Sequence, residues 1–129
     1  MFKQLVVIVF LMGSLHVSAH EGHSTPGALK ANHGGVVKAG KEINLEYVVA
    51  GNSVKVYPVS HDGKDLGPAD VKLTATSKIP KGKTEAAKLV FQEGSFVSPI
   101  DFKGAYRVEM NVTADINGKK DTFKFQVEK

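Results

Sequence analysis

YRVEMNVTADINGKKDTFKFQV, residues 106–127, is the stretch whose reading decides the fold. Tyr106, Val108, Met110 and Val112 fall on one parity, and beyond Asn117-Gly118 the residues Phe123, Phe125 and Val127 do the same. A period of two marks a strand with one buried face. Asn-Gly is the pair that a two-residue hairpin turn favours, because both of its central residues take positive φ. Burying the seven inward residues, at ~1.5–3 kcal/mol each, would give this hairpin a large share of the apolar stabilisation.

The same period recurs upstream. Ile43, Leu45, Tyr47 and Val49 alternate with Asn44, Glu46 and Val48, and Gly51-Asn52 then turns the chain into SVKVYPV, residues 53–59. Pro58 there predicts a sheet edge or a bulge. His61-Asp62-Gly63-Lys64 carries an Asp-Gly pair and predicts another tight reversal. Val71, Leu73 and Ala75 alternate, as do Ala87, Leu89 and Phe91, with the loop 79–83 between the two runs. No segment sustains a 3.6-residue period. Short strands at regular spacing predict an all-β chain, an antiparallel immunoglobulin-like β-sandwich of seven or eight strands. Asp101-Phe-Lys-Gly104-Ala-Tyr106 enters the penultimate strand much as a tyrosine corner does; an ordinary core aromatic is the plainer reading of Tyr106.

Residues 1–19 have the layout of a secretory signal, with Lys3, an apolar run from Leu5 to Met12 and a small-residue stop at Val17-Ser18-Ala19. The run is shorter than the ~20 residues a spanning helix needs. Cleavage is expected after Ala19, with no membrane insertion of the mature chain and a periplasmic or secreted location. No cysteine is present to carry a lipid or a disulfide. The 110 residues that remain of 129 suffice for one core without staples. Residues 20–31, HEGHSTPGALKA, hold little to bury and read as a flexible tail ahead of a sandwich domain at 32–129.

The formal net charge of +4 falls to +3 once Lys3 leaves with the leader. The lysines are scattered among acidic residues, with no basic stripe interleaved with aromatics, so nucleic acid is not an expected partner. Catalysis is weakly supported. There is no cysteine nucleophile and no Gly-x-Ser-x-Gly turn. His20-Glu21-Gly22-His23 spaces its histidines by three, whereas a zinc-protease helix needs four to put both on one face. The expectation is a non-enzyme.

The histidines are what remains. His20, His23, His33 and His61 survive cleavage, three of them within the first fourteen mature residues. Imidazole suits copper and zinc, and an amino-terminal His20 would offer both its α-amine and its ring Nδ1. A third nitrogen from His23 or His33 would complete a square-planar Cu(II) set. The plain alternative is that polar residues after a signal cut serve solubility alone. In a simple up-down-up order of the first strands, His33 and His61 lie at opposite ends of the sheet, ~20 Å apart, and cannot share an ion. The tail, extending up to ~40 Å, can reach either end. His61 reads as a solvated turn residue or, with Asp62, as a weak second site. Met110, the one methionine left after cleavage, falls on the inward register, so a Cu(I) thioether site has no support. Asn111-Val112-Thr113 matches a glycosylation sequon in mid-strand.

Asn32-His33-Gly34-Gly35-Val36-Val37, Ile43-Asn-Leu45-Glu46-Tyr47-Val48, Val54-Lys-Val56-Tyr57, His61-Asp62-Gly63-Lys64 and the closing Gly104-Ala-Tyr106 to Phe125 resemble small periplasmic immunoglobulin-like domains encoded with heavy-metal (copper, silver, zinc) efflux systems. Similar segments precede some membrane-fusion subunits of those pumps. The resemblance covers residues 32–128. It implies a periplasmic sandwich that binds or hands over a transition-metal ion, copper or zinc, with His33 as a ligand and a membrane-fusion subunit as partner. An alternative role for His-Gly-Gly is strand entry, its glycines permitting close backbone approach. The His-Glu-Gly-His terminus is not part of that resemblance, and the Asp-x-His and tryptophan partners of copper-binding sandwiches that begin with histidine are missing. The competing functional reading is a periplasmic protein-interaction sandwich that uses a sheet edge near Pro58.

Overall fold

The computed structural model describes residues 30–129. The expected leader, the tail up to residue 29, and with them His20 and His23, lie outside the described residues. Within them the chain forms nine strands and no helix: β1 (Val36–Ala39), β2 (Asn44–Ala50), β3 (Ser53–Val59), β4 (Lys72–Lys78), β5 (Glu85–Ala87), β6 (Val90–Gln92), β7 (Ser95–Pro99), β8 (Arg107–Ile116) and β9 (Lys119–Glu128). They make two antiparallel sheets, one of five strands in the order β1-β2-β3-β7-β6 and one of four in the order β5-β4-β8-β9. The architecture is the expected β-sandwich.

Alternation explains the packing. Val108, Met110, Val112 and Ala114 of β8 and Phe123, Phe125 and Val127 of β9 are buried, and they meet Leu45, Val54, Val56 and Phe96 of the other sheet, together with Ile43 just before β2, in one core. Tyr47 of β2 stacks on Phe125 of β9 with ring centroids 3.9 Å apart, which ties the two layers together. Burial raises the Tyr47 hydroxyl above its ordinary value. The terminal hairpin follows the predicted register, with Ile116 opposite Lys119 and positive φ at Asn117 and Gly118.

Five expectations need correction. Tyr106 is neither a core aromatic nor a tyrosine corner: it is 62% exposed, and its hydroxyl accepts a hydrogen bond from the neighbouring Arg107 Nη1 at 3.0 Å. Ala87, Leu89 and Phe91 do not share a strand. The chain leaves the four-stranded sheet at Ala87 and joins the five-stranded sheet at Val90, so one alternating run is split between layers. That split gives nine strands where seven or eight were expected. Pro58 sits in an interior strand. Its carbonyl accepts from Leu66 N at 2.9 Å, so the side of β3 on which proline lacks a donor faces the 60–66 segment beyond the end of β7, and no ladder bond to β2 is lost. At 60–64 only Gly63 takes positive φ (92°). Gly63 N bonds Ser60 O and Ser60 N bonds Lys64 O, a three-residue loop in which a type I turn is closed by the glycine. The separation of His33 from the loop of His61 is the fifth, taken up with the site below.

One buried carboxylate fixes the β1–β2 connection. Asp121 of β9, 6% exposed, accepts hydrogen bonds from the backbone N–H groups of Lys41 (3.2 Å), Glu42 (2.7 Å) and Ile43 (3.0 Å). Removing such an acceptor leaves buried donors unpaired, at about 1–3 kcal/mol for each such group. Asp121→Ala is expected to lower the unfolding free energy by about 2–4 kcal/mol in a urea titration. A loss under about 0.5 kcal/mol, the ordinary range for surface changes, would show that the loop is held by other contacts.

Candidate functional site

Of the four predicted histidine ligands, two are described, and both lie at the end of the sandwich where β3 runs into the 60–71 segment. In β2, Leu45 and Tyr47 point to the core, so Glu46 between them faces outward; Tyr57 lies directly opposite it on β3. An outward glutamate would ordinarily be solvated. Glu46 is nevertheless completely buried, because residues 32–35 fold back across the outer face of the sheet and cover it. Its Oε1 accepts from Asn32 N (3.0 Å) and His33 N (3.1 Å), and its Oε2 from His33 N (2.9 Å) and Gly35 N (2.8 Å). Three backbone donors converging on one carboxylate are strong, charge-assisted bonds.

The glycines of His-Gly-Gly make this crossing feasible. Gly34 takes φ of 75°, which costs a residue bearing Cβ. Gly35 lies against β2 so closely that a Cβ there would stand 2.2 Å from Tyr47 O. The backbone of the motif therefore performs the strand-entry role, with Glu46 as its anchor.

The His33 side chain is not consumed by that role. Its ring stacks on Tyr57 with centroids 3.7 Å apart and planes 10° from parallel, and its Nε2 lies 2.7 Å from Asp65 Oδ2. Both side chains remain partly exposed, 30% for His33 and 42% for Asp65. In the neutral imidazole the bond to Asp65 sets the proton on Nε2 and leaves the lone pair on Nδ1. Nδ1 has no hydrogen-bond partner among the described residues. This is the arrangement in which a carboxylate orients a histidine for metal ligation through its other nitrogen.

The expected ~20 Å between His33 and the end of the sheet carrying His61 is overturned by the same fold-back. Asn32 Nδ2 donates to Gly63 O at 2.9 Å and His33 meets Asp65, so the segment before β1 is stitched to the very loop that contains His61. His61 is engaged elsewhere, its Nε2 3.1 Å from Gly40 O at the β1–β2 connection. Asp62, the proposed companion of His61, instead accepts a short hydrogen bond from Ser60 Oγ. That bond, first among the causes, holds its carboxyl below the ordinary value. Ser60, His61 and Asp62 are thus adjacent without forming a nucleophile relay, since the hydroxyl points to the carboxylate and the imidazole to a backbone carbonyl. Among the described residues no group of three or more His, Cys, Asp or Glu side chains is placed to hold a metal ion. His33 and Asp65 stand as a pair, and His61 apart from them in its bonding.

Asp65, Glu46 and Tyr57 escaped the reading of the sequence. In the sequence Glu46 is one member of an alternating strand and Tyr57 one residue of the 53–59 strand, both inside motifs that carry the resemblance, and no local signal connects Asp65 with His33, 32 residues earlier.

A likeness to a solved structure supports the architecture. A DUF4426 family protein from Pseudomonas aeruginosa PAO1 superposes with a TM-score of 0.54 at 18% identity, over 72% of this chain and 94% of that chain. At that identity the likeness shows the fold, a small β-rich sandwich. No family model matches the chain, and a search of curated proteins finds no match.

The division of labour within His-Gly-Gly is testable by amide hydrogen exchange. Glu46→Ala is expected to deprotect the amides of Asn32, His33 and Gly35 by tenfold or more, in line with about 1.5–3 kcal/mol for a hydrogen bond to a charged group. His33→Ala should leave the Gly35 amide protected. Equal deprotection by both variants would mean that the imidazole, and not the carboxylate, holds the segment.

Proposed function

We propose that this chain is an exported, non-enzymatic sandwich that binds a divalent transition-metal ion, copper or zinc, and buffers it or hands it to an efflux system. The observation that carries the reading is His33, whose Nε2 is held by Asp65 at 2.7 Å while Nδ1 faces no partner among the described residues. His33 is the fixed ligand in this reading, and Asp65 orients it. His20 and His23 complete the set, with the α-amine of His20 as a fourth nitrogen once the leader is removed. Nitrogen donors without thiolate or thioether favour Cu(II) and Zn(II) over Cu(I); the chain has no cysteine, and Met110 is fully buried. His61, bonded to Gly40 O, is at most a weaker site with an independent affinity. The resemblance to domains encoded with heavy-metal efflux systems makes a membrane-fusion subunit the natural recipient.

The competing reading, protein contact through a sheet edge, loses Pro58 as its marker. It finds its support at the short edge strand β6, where Val90 is 42% and Phe91 40% exposed.

Titration of the secreted protein with Cu(II) separates the two. A visible d–d band is expected, together with mass-spectrometric evidence that the mature chain begins at His20. Affinity should fall sharply in His20→Ala, His23→Ala and His33→Ala, and by about 10–100-fold in Asp65→Asn, the usual cost of losing an orienting partner. Unchanged Cu(II) and Zn(II) binding in all four variants, or no binding by the parent, sinks the metal reading and leaves the interaction module.

A further inference from the structure

The four-stranded sheet ends in β9, the longest edge strand among the described residues. Its ten residues pair with β8 throughout and with no strand on the other side. In an antiparallel pair successive residues turn their N–H and C=O alternately toward the neighbour and away from it. The two-residue turn at Asn117-Gly118 and the bond from Lys129 N to Tyr106 O at 2.8 Å place the odd-numbered residues toward β8. Lys120, Thr122, Lys124, Gln126 and Glu128 therefore aim their backbone groups outward, and among the described residues nothing bonds them. The β1–β2 connection lies against Asp121, which leaves 124–128 as the open half of the edge.

Edges of this length are ordinarily blunted by lysine, proline or a bulge. The β8–β9 register runs to Glu128 without a bulge, and β9 holds no proline. It does carry lysines, and these select a partner. Lys124-Phe-Gln126-Val-Glu128 is complementary to its own reverse. When two copies pair antiparallel about a two-fold axis at Gln126, Lys124 stands against the partner's Glu128, Phe125 against the partner's Val127, and Gln126 against the partner's Gln126. Opposite charges directly across a strand pair attract, and like charges repel. An axis at residue 124 would set Lys124 against itself, whereas axes at 123 or 125 leave the exposed charges of β9 with no opposite charge facing them. With the axis at 126, Lys119 and Lys120 overhang the partner's end.

The layer beneath carries a second, independent sign. Tyr47, stacked on Phe125, brings the margin of the five-stranded sheet alongside this half of β9. Val36, opposite Tyr47 on β1, and Val49, two residues further along β2, have the core-facing parity, yet both are among the exposed large apolar side chains. A two-fold axis normal to the sheets sets the same margin of a second copy against them and gives them apolar cover. We propose that the mature chain forms a symmetric homodimer through β9, its two four-stranded sheets joining into one of eight strands. The contact is small, so the dimer is a weak, reversible one.

The test is sedimentation equilibrium of the mature protein up to millimolar concentration, with EDTA present so that no metal bridges two copies, together with amide hydrogen exchange. A reversible dimer is expected. The amides of Lys124, Gln126 and Glu128 should gain protection as concentration rises, while those of Lys120 and Thr122 should not. Lys124→Glu and Glu128→Lys should each weaken self-association by about tenfold or more, because the altered pair occurs twice in the dimer. An equimolar mixture of the two variants should recover it, since both pairs are again of opposite sign in the heterodimer. Both side chains are exposed, and dispersed ¹H–¹⁵N spectra will confirm that the variants fold. A monomer at every concentration, protection that misses 124–128 or extends to Lys120 and Thr122, undiminished association of either variant, or a mixture that associates no better than its components would each overturn the proposal.

Discussion

Two buried carboxylates hold this sandwich in its working shape. A sheet satisfies its own backbone internally, but the segments that cross its faces or cap its ends must find acceptors for their N–H groups or remain solvated. Glu46 and Asp121 supply those acceptors, each taking three consecutive or near-consecutive backbone donors from a segment remote in sequence. Neither has a cationic partner among the described residues, so the charge is compensated by peptide dipoles converging on it. This arrangement turns the stretch before β1 from a loose lead-in into a cover over the sheet. It also brings His33 to Tyr57 and Asp65, so the candidate site exists only because Glu46 is where it is.

The fold was legible in the sequence because parity is a local property. Leu45, Val56, Met110, Phe125 and Val127 occupy the core faces that alternation assigns them. Parity fails where a strand changes layer or ends. Ala87, Leu89 and Phe91 keep a period of two while the chain passes from one sheet to the other, and nothing in their identities announces the crossing. Tyr106 has the right parity but stands one residue before β8, outside the paired region, so it turns to solvent. Pro58 was misplaced because the sequence shows that a donor is missing but not which side of the strand it is missing from.

The site was only half legible. His33 stood out by residue type, whereas Asp65 is an unremarkable turn residue until the fold-back at Gly34 carries His33 to it. Glu46 looked like the solvated partner in an alternating strand, the ordinary fate of glutamate. A buried charge on an outward parity arises only when another segment covers it, which is a tertiary fact with no local trace. The two-residue signal that pointed toward it was Gly34-Gly35, since adjacent glycines before a strand imply a backbone that must turn sharply and approach something closely.

The same motif resolves an ambiguity in kind. Ligand and strand-entry roles for His-Gly-Gly compete only if they require the same atoms, and here they do not. Strand entry uses the amide nitrogens of Asn32, His33 and Gly35 and the missing Cβ of the glycines; ligation would use one imidazole nitrogen of His33. Backbone anchoring makes the imidazole a rigid projection whose ring plane is set by Tyr57 and whose rotation about that plane is set by Asp65. A ligand held this way loses little conformational freedom on binding, since its ordering has already been met by folding. A partly exposed histidine so heavily oriented, at a position where the fold itself needs only the backbone, leaves Nδ1 available to the proposed ligand role without disturbing the strand entry.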